Sequence, residues 1–270
     1  FSVVYANENI NLSVEKGEIH ALLGENGAGK TTTISLLSTL LLPTKGEILI
    51  DGQKLTRNRP DLKRKISVIT QEYSMRQDMN MDEIMEYQGR LYFMPRKEIK
   101  RRTEELLEFC DLIKFRKRTV RKLSGGMKRK LMVCRALLTD PEILLLDEPT
   151  AGMDALSRRQ MWNLLRKLNG KNLTILLTTH YMEEAQNLCS RVALMDHGKL
   201  EEVNTPAGLI DSLGNYTVDE FAGDETHSHY FHSREEAIAY LSGLSGQASL
   251  RETTLEDVFV ERAGRHLMPS

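Results

Sequence analysis

The sequence has few cysteines, no long apolar run and no charge excess, and each of these absences removes a class of protein. Only three cysteines occur in 270 residues, at Cys110, Cys134 and Cys189, and they form no C-x-x-C pair. A disulfide framework or a zinc site is therefore not expected, and a reducing cytosol fits. No apolar run approaches the roughly 18 residues of a membrane-spanning helix, so we expect any action at a membrane to go through a partner.

The charges of the chain are balanced, with 37 Lys and Arg against 38 Asp and Glu and a formal net charge of −1. A general nucleic-acid binder usually shows a strong basic excess, so we expect no nucleic-acid partner. Charged residues make up 28% and hydrophobic residues 40%, which is typical of a globular protein of one large or two small domains. The first residue is Phe1 rather than Met, which suggests that the chain begins inside a longer gene product.

Short apolar segments alternate with helical patterns over most of the chain. The segments 9–14, 18–24, 46–52, 66–70, 142–149, 173–180 and 191–200 have the character of strands. Residues from about 73 to 140 are helical in pattern and contain no good strand. This alternation predicts an α/β core with a parallel sheet and an inserted all-α helical subdomain.

A change of pattern near residue 208 predicts a separate C-terminal extension. Residues 209–270 contain three short strand candidates and two helix candidates. The first helix is predicted to begin after Ser233, with Glu236 completing a capping box, and the second after Thr254. We therefore divide the chain into a domain of residues 1–208 and a small α+β extension of residues 209–270.

A glycine-rich segment between a predicted strand and a predicted helix matches the phosphate-binding pattern G-x-x-x-x-G-K-[ST]. It runs from Gly24 to Thr31. Glycines let backbone N–H groups turn toward phosphate oxygens, and a helix that begins at Lys30 directs its positive dipole end at the same anions. Lys30 adds a charge for the β and γ phosphates, and the Thr31 hydroxyl can ligate Mg²⁺. The residues of this segment predicted to bind the nucleotide are Asn26, Gly27, Ala28, Gly29, Lys30, Thr31 and Thr32.

Two adjacent acids follow a second apolar strand. The run Ile143–Leu146 leads directly into Asp147 and Glu148. Ligands of open parallel sheets bind at the carboxyl ends of the strands, where these acids are expected to lie. Asp147 there can hold Mg²⁺, and Glu148 can accept a proton from an attacking water or orient that water.

A third motif, Leu123-Ser124-Gly125-Gly126-Met127, resembles the LSGGQ signature of the ATP-binding-cassette (ABC) ATPase family, with Met127 in place of glutamine. The other family motifs stand around it in the expected order and at the spacings of the compact transporter form. These are Gln71 as the Q-loop glutamine, Asp147-Glu148-Pro149-Thr150 as the end of Walker B, Ala151-Gly152-Met153-Asp154 as the D-loop and His180 as the switch histidine. The resemblance covers about residues 1–208 and implies an antiparallel β region beside the parallel sheet of a P-loop NTPase core.

The resemblance implies roles for these residues. It makes Glu148, His180 and Gln71 catalytic, and it adds Gln71 to Thr31 and Asp147 as a candidate for holding Mg²⁺. Ser124, Gly125 and Gly126, at the start of a helix, would contact the γ-phosphate of ATP held by another subunit, and Asp154 would lie at the same interface. An aromatic near the chain start stacks on adenine in the family, and Phe1 is the first choice here, with Tyr5 the second.

The resemblance also implies a place and partners. It implies an ATPase on the cytoplasmic face of the cell membrane, peripheral, paired with a second ATP-binding subunit (identical or similar) and with a transmembrane permease. LSGGM followed by basic residues, and the late motif Thr254–Phe259, resemble the ABC-2-type exporter ATPases, which points to a drug, peptide or lipid-like cargo. The alternative is a soluble ABC ATPase that moves no solute, such as the iron–sulfur assembly type.

Three basic clusters lie in or beside the predicted helical subdomain. They are Arg96 to Arg102, Lys114 to Lys122, and Lys128-Arg129-Lys130. Charge runs of this kind are usually solvated faces. The functional alternative is contact with a membrane partner or with acidic lipid headgroups.

Overall fold

A six-stranded, largely parallel sheet forms the centre of the chain, and the computed structural model describes residues 6–72, 75–223 and 225–267. Its strands are β1 (Ile19–Leu23), β4 (Ile66–Ile69), β5 (Ile143–Asp147), β6 (Thr174–Thr179), β7 (Arg191–Asp196) and β8 (Lys199–Asn204). They lie in the order β4-β5-β6-β1-β7-β8. The four strands β4, β5, β6 and β1 pair in parallel, so their carboxyl ends meet at one edge.

Helices flank this sheet and fill the segment between β4 and β5. A small hairpin of β2 (Leu49–Ile50) and β3 (Gln53–Lys54) supplies antiparallel pairing. The elements assigned in residues 75–140 are all helices, as the sequence predicts, and two of them are short 3₁₀ turns. The helices are α1 (Lys30–Leu37), α2 (Pro60–Arg64), α3 (Met81–Leu91), α4 (Arg96–Phe109), α5 (Gly125–Leu137), α6 (Ala155–Asn169), α7 (Met182–Leu188), α8 (Pro206–Asp211), α9 (Arg234–Gly243) and α10 (Leu255–Leu267).

The sheet core is apolar because its central strands are buried on both faces. All residues of β1 and β6 are buried, and β5 is buried from Leu144 onward. Such continuous apolar runs are what a parallel sheet covered by helices requires. The expected α/β class with a parallel sheet, an antiparallel region and an inserted helical segment is confirmed.

One predicted strand is absent. Residues 10–14 alternate between half-buried and exposed side chains as the sequence pattern indicates, but they pair with no strand among the described residues. Ile10, Leu12 and Val14 are thus half-buried in a segment that is assigned neither to a helix nor to a strand. The prediction of a strand there was wrong, because alternation reports which side chains face the protein and not whether a neighbouring backbone is in register.

The chain forms two compact units. The first contains the described residues up to His180 together with Ala193–Glu202, and the second contains Tyr181–Val192 and the described residues from Val203 onward. In the second unit, a three-stranded antiparallel sheet of order β10-β9-β11 is built from β9 (Tyr216–Ala222), β10 (Glu225–Phe231) and β11 (Gln247–Glu252). Helix α9 has the predicted capping box of Ser233 and Glu236.

One arginine and two acidic residues form a cluster of ion pairs in the second unit. Arg251 donates to both carboxylate oxygens of Asp219 and of Asp257, with the shortest contacts at 2.6 and 2.7 Å. Thr254 precedes α10, and its N–H and hydroxyl both donate to Asp257.

Across the described segments, none of the helices has the length and apolar character needed to cross a lipid bilayer.

Candidate active site

The glycine-rich loop links the end of β1 to the start of α1, as its sequence predicts. Gly29 is the residue before α1 and has φ +99°, a left-handed conformation that favours glycine. An added Cβ at Gly29 would lie 2.3 Å from the side-chain amide of Asn7. Glycine is therefore required here both for the turn and for the close approach of the preceding chain. The first turn of α1 presents its backbone N–H groups toward the same space.

Lys30 is buried at the base of this loop, with only 5% of its surface exposed. Its ammonium group donates to the carbonyl oxygens of Gly24 and Glu25, at 2.8 and 2.9 Å. Burial lowers the pKa of Lys30, and the nearby carboxylates of Glu148, Asp147 and Glu25 oppose that shift. A phosphate would be a stronger partner than two neutral carbonyls for a charge held in such surroundings.

A carboxylate and two hydroxyls meet where β5 ends. Asp147 is 6% exposed and accepts hydrogen bonds from the hydroxyls of Thr31, at 3.2 Å, and Thr178, at 2.6 Å. Mg²⁺ prefers oxygen ligands and is commonly held by one or two carboxylates together with phosphates. The Thr31 hydroxyl and the Asp147 carboxylate thus form a donor set that fits Mg²⁺ beside the phosphate-binding loop.

The three side chains that the family resemblance makes catalytic lie together. Glu148 has one carboxylate oxygen 3.0 Å from Nδ1 of His180, and its other oxygen accepts a hydrogen bond of 3.3 Å from the Gln71 amide. They come from the ends of three neighbouring strands, β5, β6 and β4, because parallel pairing aligns those ends. The geometry brings a carboxylate, an imidazole and an amide to one point beside the loop that would hold the phosphates.

These groups line a cavity of about 540 Å³. Such a volume lies in the range of small-molecule and cofactor sites. Six of the seven residues of the glycine-rich segment predicted to bind the nucleotide are in its wall. The lining residues are Ala6, Asn26, Gly27, Gly29, Lys30, Thr31, Thr32, Gln71, Glu148, Ala151 and His180.

Ala28 is the one predicted residue of the glycine-rich segment that is not in this wall. Ala28 is 3% exposed, and its backbone carbonyl accepts a hydrogen bond from Gly198 instead of facing the cavity. The adenine-stacking candidates, Phe1 and Tyr5, lie outside the described residues. Asp147 is not a lining residue of the cavity, but it accepts a hydrogen bond from the hydroxyl of Thr31, which is one.

The signature residues and Asp154 of the D-loop form a second location, whose residues are not among those that line this cavity. Ser124 and Gly125 are exposed, and the Ser124 hydroxyl accepts a hydrogen bond from the N–H of Met127, which caps α5. Asp154 caps α6 in the same way and accepts from the N–H and hydroxyl of Ser157. These hydrogen bonds from Ser157 lower the pKa of Asp154.

The starts of these two helices are close together. An added Cβ at Gly126 would lie 3.4 Å from the Ser157 hydroxyl oxygen. The chain therefore carries two separate sets of predicted phosphate contacts, one in the cavity and one exposed at the adjacent starts of α5 and α6. None of the residues of the second set is among those that line the cavity.

Sequence reasoning missed two side chains of the site. Thr178 is fully buried, donates to Asp147 and accepts from the N–H of Glu148 at 3.0 Å. Arg129, expected in a solvated or membrane-facing basic cluster, is 3% exposed, so that expectation is wrong for this residue. The helical period could have found it, because Arg129 shares the buried stripe of α5 with Met132, Val133 and Ala136.

Comparison with known proteins places this geometry in a family. The family model described as ABC transporter matches residues 7–151. A Nod factor export ATP-binding protein of Cupriavidus metallidurans is 36% identical, with 96% of this chain and 93% of that protein covered. A daunorubicin resistance ATP-binding protein of Streptomyces coeruleorubidus is 37% identical, with 79% of this chain and 68% of that protein covered.

A solved structure agrees with these relatives. It is the dimer of an ATP-binding cassette in a post-hydrolysis state with ADP and Pi, which is 28% identical, has a TM-score of 0.67 and covers 76% of this chain and 92% of its own. The alternative of an ABC ATPase that moves no solute is wrong, because the relatives are exporter and resistance ATP-binding proteins. This chain thus belongs to the ABC transporter family, in the group of ABC-2-type exporter ATP-binding subunits, and is an ATPase.

Proposed function

We propose that two copies of this subunit, or this subunit and a similar one, close over two molecules of ATP and reopen after hydrolysis. The observation that carries the proposal is the separation of the cavity from the signature. The cavity holds Lys30, Glu148 and His180, whereas Ser124 and Gly125 are exposed elsewhere. A head-to-tail pair would bring the exposed set of one chain to the cavity of the other. The solved cassette described as dimeric and bound to ADP and Pi supports the pairing of two such chains.

Each side chain in the cavity has a role that follows from its position. Lys30 and the N–H groups of the loop bind the β and γ phosphates. Glu148 orients the attacking water and accepts its proton, and His180 and Gln71 hold that carboxylate between them. The γ-phosphoryl group then passes from ATP to the water, which releases ADP and phosphate. This transfer is catalysed mainly by positioning and by charge stabilisation.

Thr31 and Asp147, with Gln71 nearby, are the residues that would hold Mg²⁺. When bound, the cation neutralises charge on the β and γ phosphate oxygens. Thr178 keeps the Asp147 carboxylate in place through its hydroxyl. The adenine ring is assigned to Phe1, or to Tyr5, on the family pattern.

The partner of this subunit is proposed to be a transmembrane permease that binds the cargo. The relatives are named for Nod factor export and daunorubicin resistance, which supports a drug, peptide or lipid-like cargo. On this proposal the subunit lies on the cytoplasmic face of the cell membrane, as a peripheral protein. The division into an ATPase domain of residues 1–208 and an extension of residues 209–270 is part of the proposal, and we assign the extension no function.

The test of the partner is a tagged purification from detergent-solubilised membranes of the native source. A polytopic membrane protein without its own phosphate-binding loop, recovered in stoichiometric amount, is the expected result. A matched purification with Lys30→Ala should recover the same protein, because docking does not require nucleotide. Recovery from the aqueous fraction alone, with no polytopic protein, would overturn the permease assignment.

A further inference from the structure

A buried arginine in the signature helix donates hydrogen bonds to backbone carbonyls beside the active site. Arg129 lies five residues after Ser124 on α5, and its guanidinium uses all three nitrogens. The carbonyls come from the two segments that carry Gln71 and Glu148. The acceptors are the carbonyl oxygens of Thr70 at 2.8 Å, Gln71 at 3.3 Å, Asp147 at 3.0 Å, Glu148 at 2.7 Å and Pro149 at 2.8 Å.

The backbone that this guanidinium holds is strained at Glu148. Glu148 has φ +46°, in the left-handed region that a glutamate seldom adopts. Such a conformation persists only where the surroundings fix it, and it is common at active sites. Arg129 donates to the carbonyl oxygen of Glu148. The N–H of Glu148 donates to both the hydroxyl and the carbonyl oxygen of Thr178. The peptide groups on both sides of the strained residue are therefore anchored.

The strained conformation has a consequence for the side chain. It turns the Glu148 carboxylate toward His180 and Gln71, which is where the cavity requires it. If Glu148 relaxed to an extended backbone, the chain would continue along the line of β5 and the carboxylate would leave this position. A displacement of about 1 Å in a reacting group is enough to cost roughly 100-fold in rate.

We infer that Arg129 is a positioning residue for hydrolysis, which holds Glu148 in its left-handed conformation and fixes the Gln71 segment beside it. The inference rests on the role proposed above for Glu148. It also links the two predicted phosphate-binding locations, because the helix that begins at the exposed signature carries the guanidinium that orients the base of its own chain. The planar fork of arginine suits this task, since its N–H donors are spread over three nitrogens at fixed positions, whereas the donors of an ammonium group all lie on one nitrogen.

The test compares Arg129→Lys with the wild type in steady-state hydrolysis of Mg-ATP by the purified full chain. We expect kcat to fall roughly 100-fold while the Kd for ATP stays near that of the wild type, because Lys30 and its loop are untouched. Lys130→Gln is the matched control, since Lys130 is a neighbouring cation of the same helix that lies 3.9 Å from Asp111. It should retain the kcat of the wild type. If the lysine variant is not recovered folded, Arg129→Gln carries the same test, because it leaves no buried charge.

A double-mutant comparison separates positioning from general damage to the fold. Glu148→Gln removes the base, so adding Arg129→Lys to it should not lower the residual rate further. A purely structural defect would lower the rate by the same factor in both backgrounds, and that result would overturn the inference. So would a folded Arg129 variant with the kcat of the wild type. If Glu148→Gln itself hydrolyses ATP normally, the proposed role of Glu148 has failed, which is a different result from failure at Arg129 alone.

Discussion

His180 Nδ1 lies 3.0 Å from a carboxylate oxygen of Glu148, so the end of β6 is joined to the end of β5 by a side-chain contact across the sheet edge. A carboxylate partner favours the tautomer that carries a proton on Nδ1. The opposite edge of the imidazole then lies toward the cavity, of which His180 is a lining residue. The orientation of the ring depends on this contact.

Removal of the imidazole should stop most of the hydrolysis. We expect His180→Ala to lower kcat by roughly 100-fold or more, which is typical for the loss of one group that stabilises the transition state. Phosphate release under saturating Mg-ATP measures this. His227→Ala is the control, because His227 is exposed on β10 in the second unit. Near wild-type turnover in His180→Ala would contradict the assignment.

Replacement of the Glu148 carboxylate should block hydrolysis without blocking closure of the dimer. Glu148→Gln keeps the shape of the side chain but cannot accept a proton, so we expect kcat to fall by about 100-fold or more. ATP binding should persist, and an ATP-bound dimer should accumulate on size-exclusion chromatography with Mg-ATP. Glu142→Gln is the control, since Glu142 stands just before the other end of β5 and is exposed. A Glu148→Gln chain that turns over ATP normally would show that another group is the base.

A methyl group at Gly29 should disrupt the phosphate-binding loop. Gly29→Ala places a Cβ 2.3 Å from the Asn7 amide in a backbone with φ +99°. Gly52→Ala is the matched control, because Gly52 also has a positive φ, of +71°, but an added Cβ there meets nothing within 4 Å. The control should lose about 1–2 kcal/mol of unfolding free energy from backbone strain. Gly29→Ala should lose more unfolding free energy than this control, as measured by urea unfolding, and it should also bind ATP more weakly.

Acid should destabilise the second unit by protonating the two carboxylates that Arg251 binds, Asp219 and Asp257. Burial raises the pKa of Asp219 and of Asp257, but hydrogen bonds from Arg251 outweigh it, and the pKa of each lies below its ordinary value of 3.8. Carboxyls with a lowered folded pKa stabilise the fold above about pH 4, and this contribution is lost as the pH falls through the folded pKa.

Arg251→Met tests that contribution. The variant should be less stable than the wild type at pH 7, and the difference in unfolding free energy should shrink as the pH is lowered below about 4. Denaturant unfolding followed between pH 7 and pH 3 measures both. A difference that stays constant over this range would show that the ion pairs are not the source of the stability.

Much of the cavity could be predicted because its residues stand in local patterns with a direct physical meaning. The loop before Lys30 needs glycines for its turns, and the acids at Asp147 and Glu148 follow an apolar strand whose carboxyl end must lie at the sheet edge. Once β4, β5, β6 and β1 are placed in one parallel sheet, their ends meet. The proximity of Gln71, Glu148 and His180 then follows from topology.

The remainder depends on long-range packing that local patterns do not report. Arg129 resembles its neighbours Lys128 and Lys130 in sequence, and only the packing of α5 against the ends of β4 and β5 decides that it is buried. Thr178 is one residue of an apolar strand, and its hydroxyl matters because Asp147 is on the next strand. Residues 10–14 show the reverse case, in which a good strand pattern finds no partner strand among the described residues.

The exposure of Ser124 outside the cavity wall has a genetic consequence. If every working site combines the loop of one chain with the signature of another, then two inactive proteins can complement each other. A mixed dimer of a Lys30→Ala chain and a Ser124→Arg chain would concentrate both defects in one site and leave the other site intact, whereas each mutant alone would form only defective sites. Coexpression of the two alleles should therefore restore measurable hydrolysis that neither allele supplies alone.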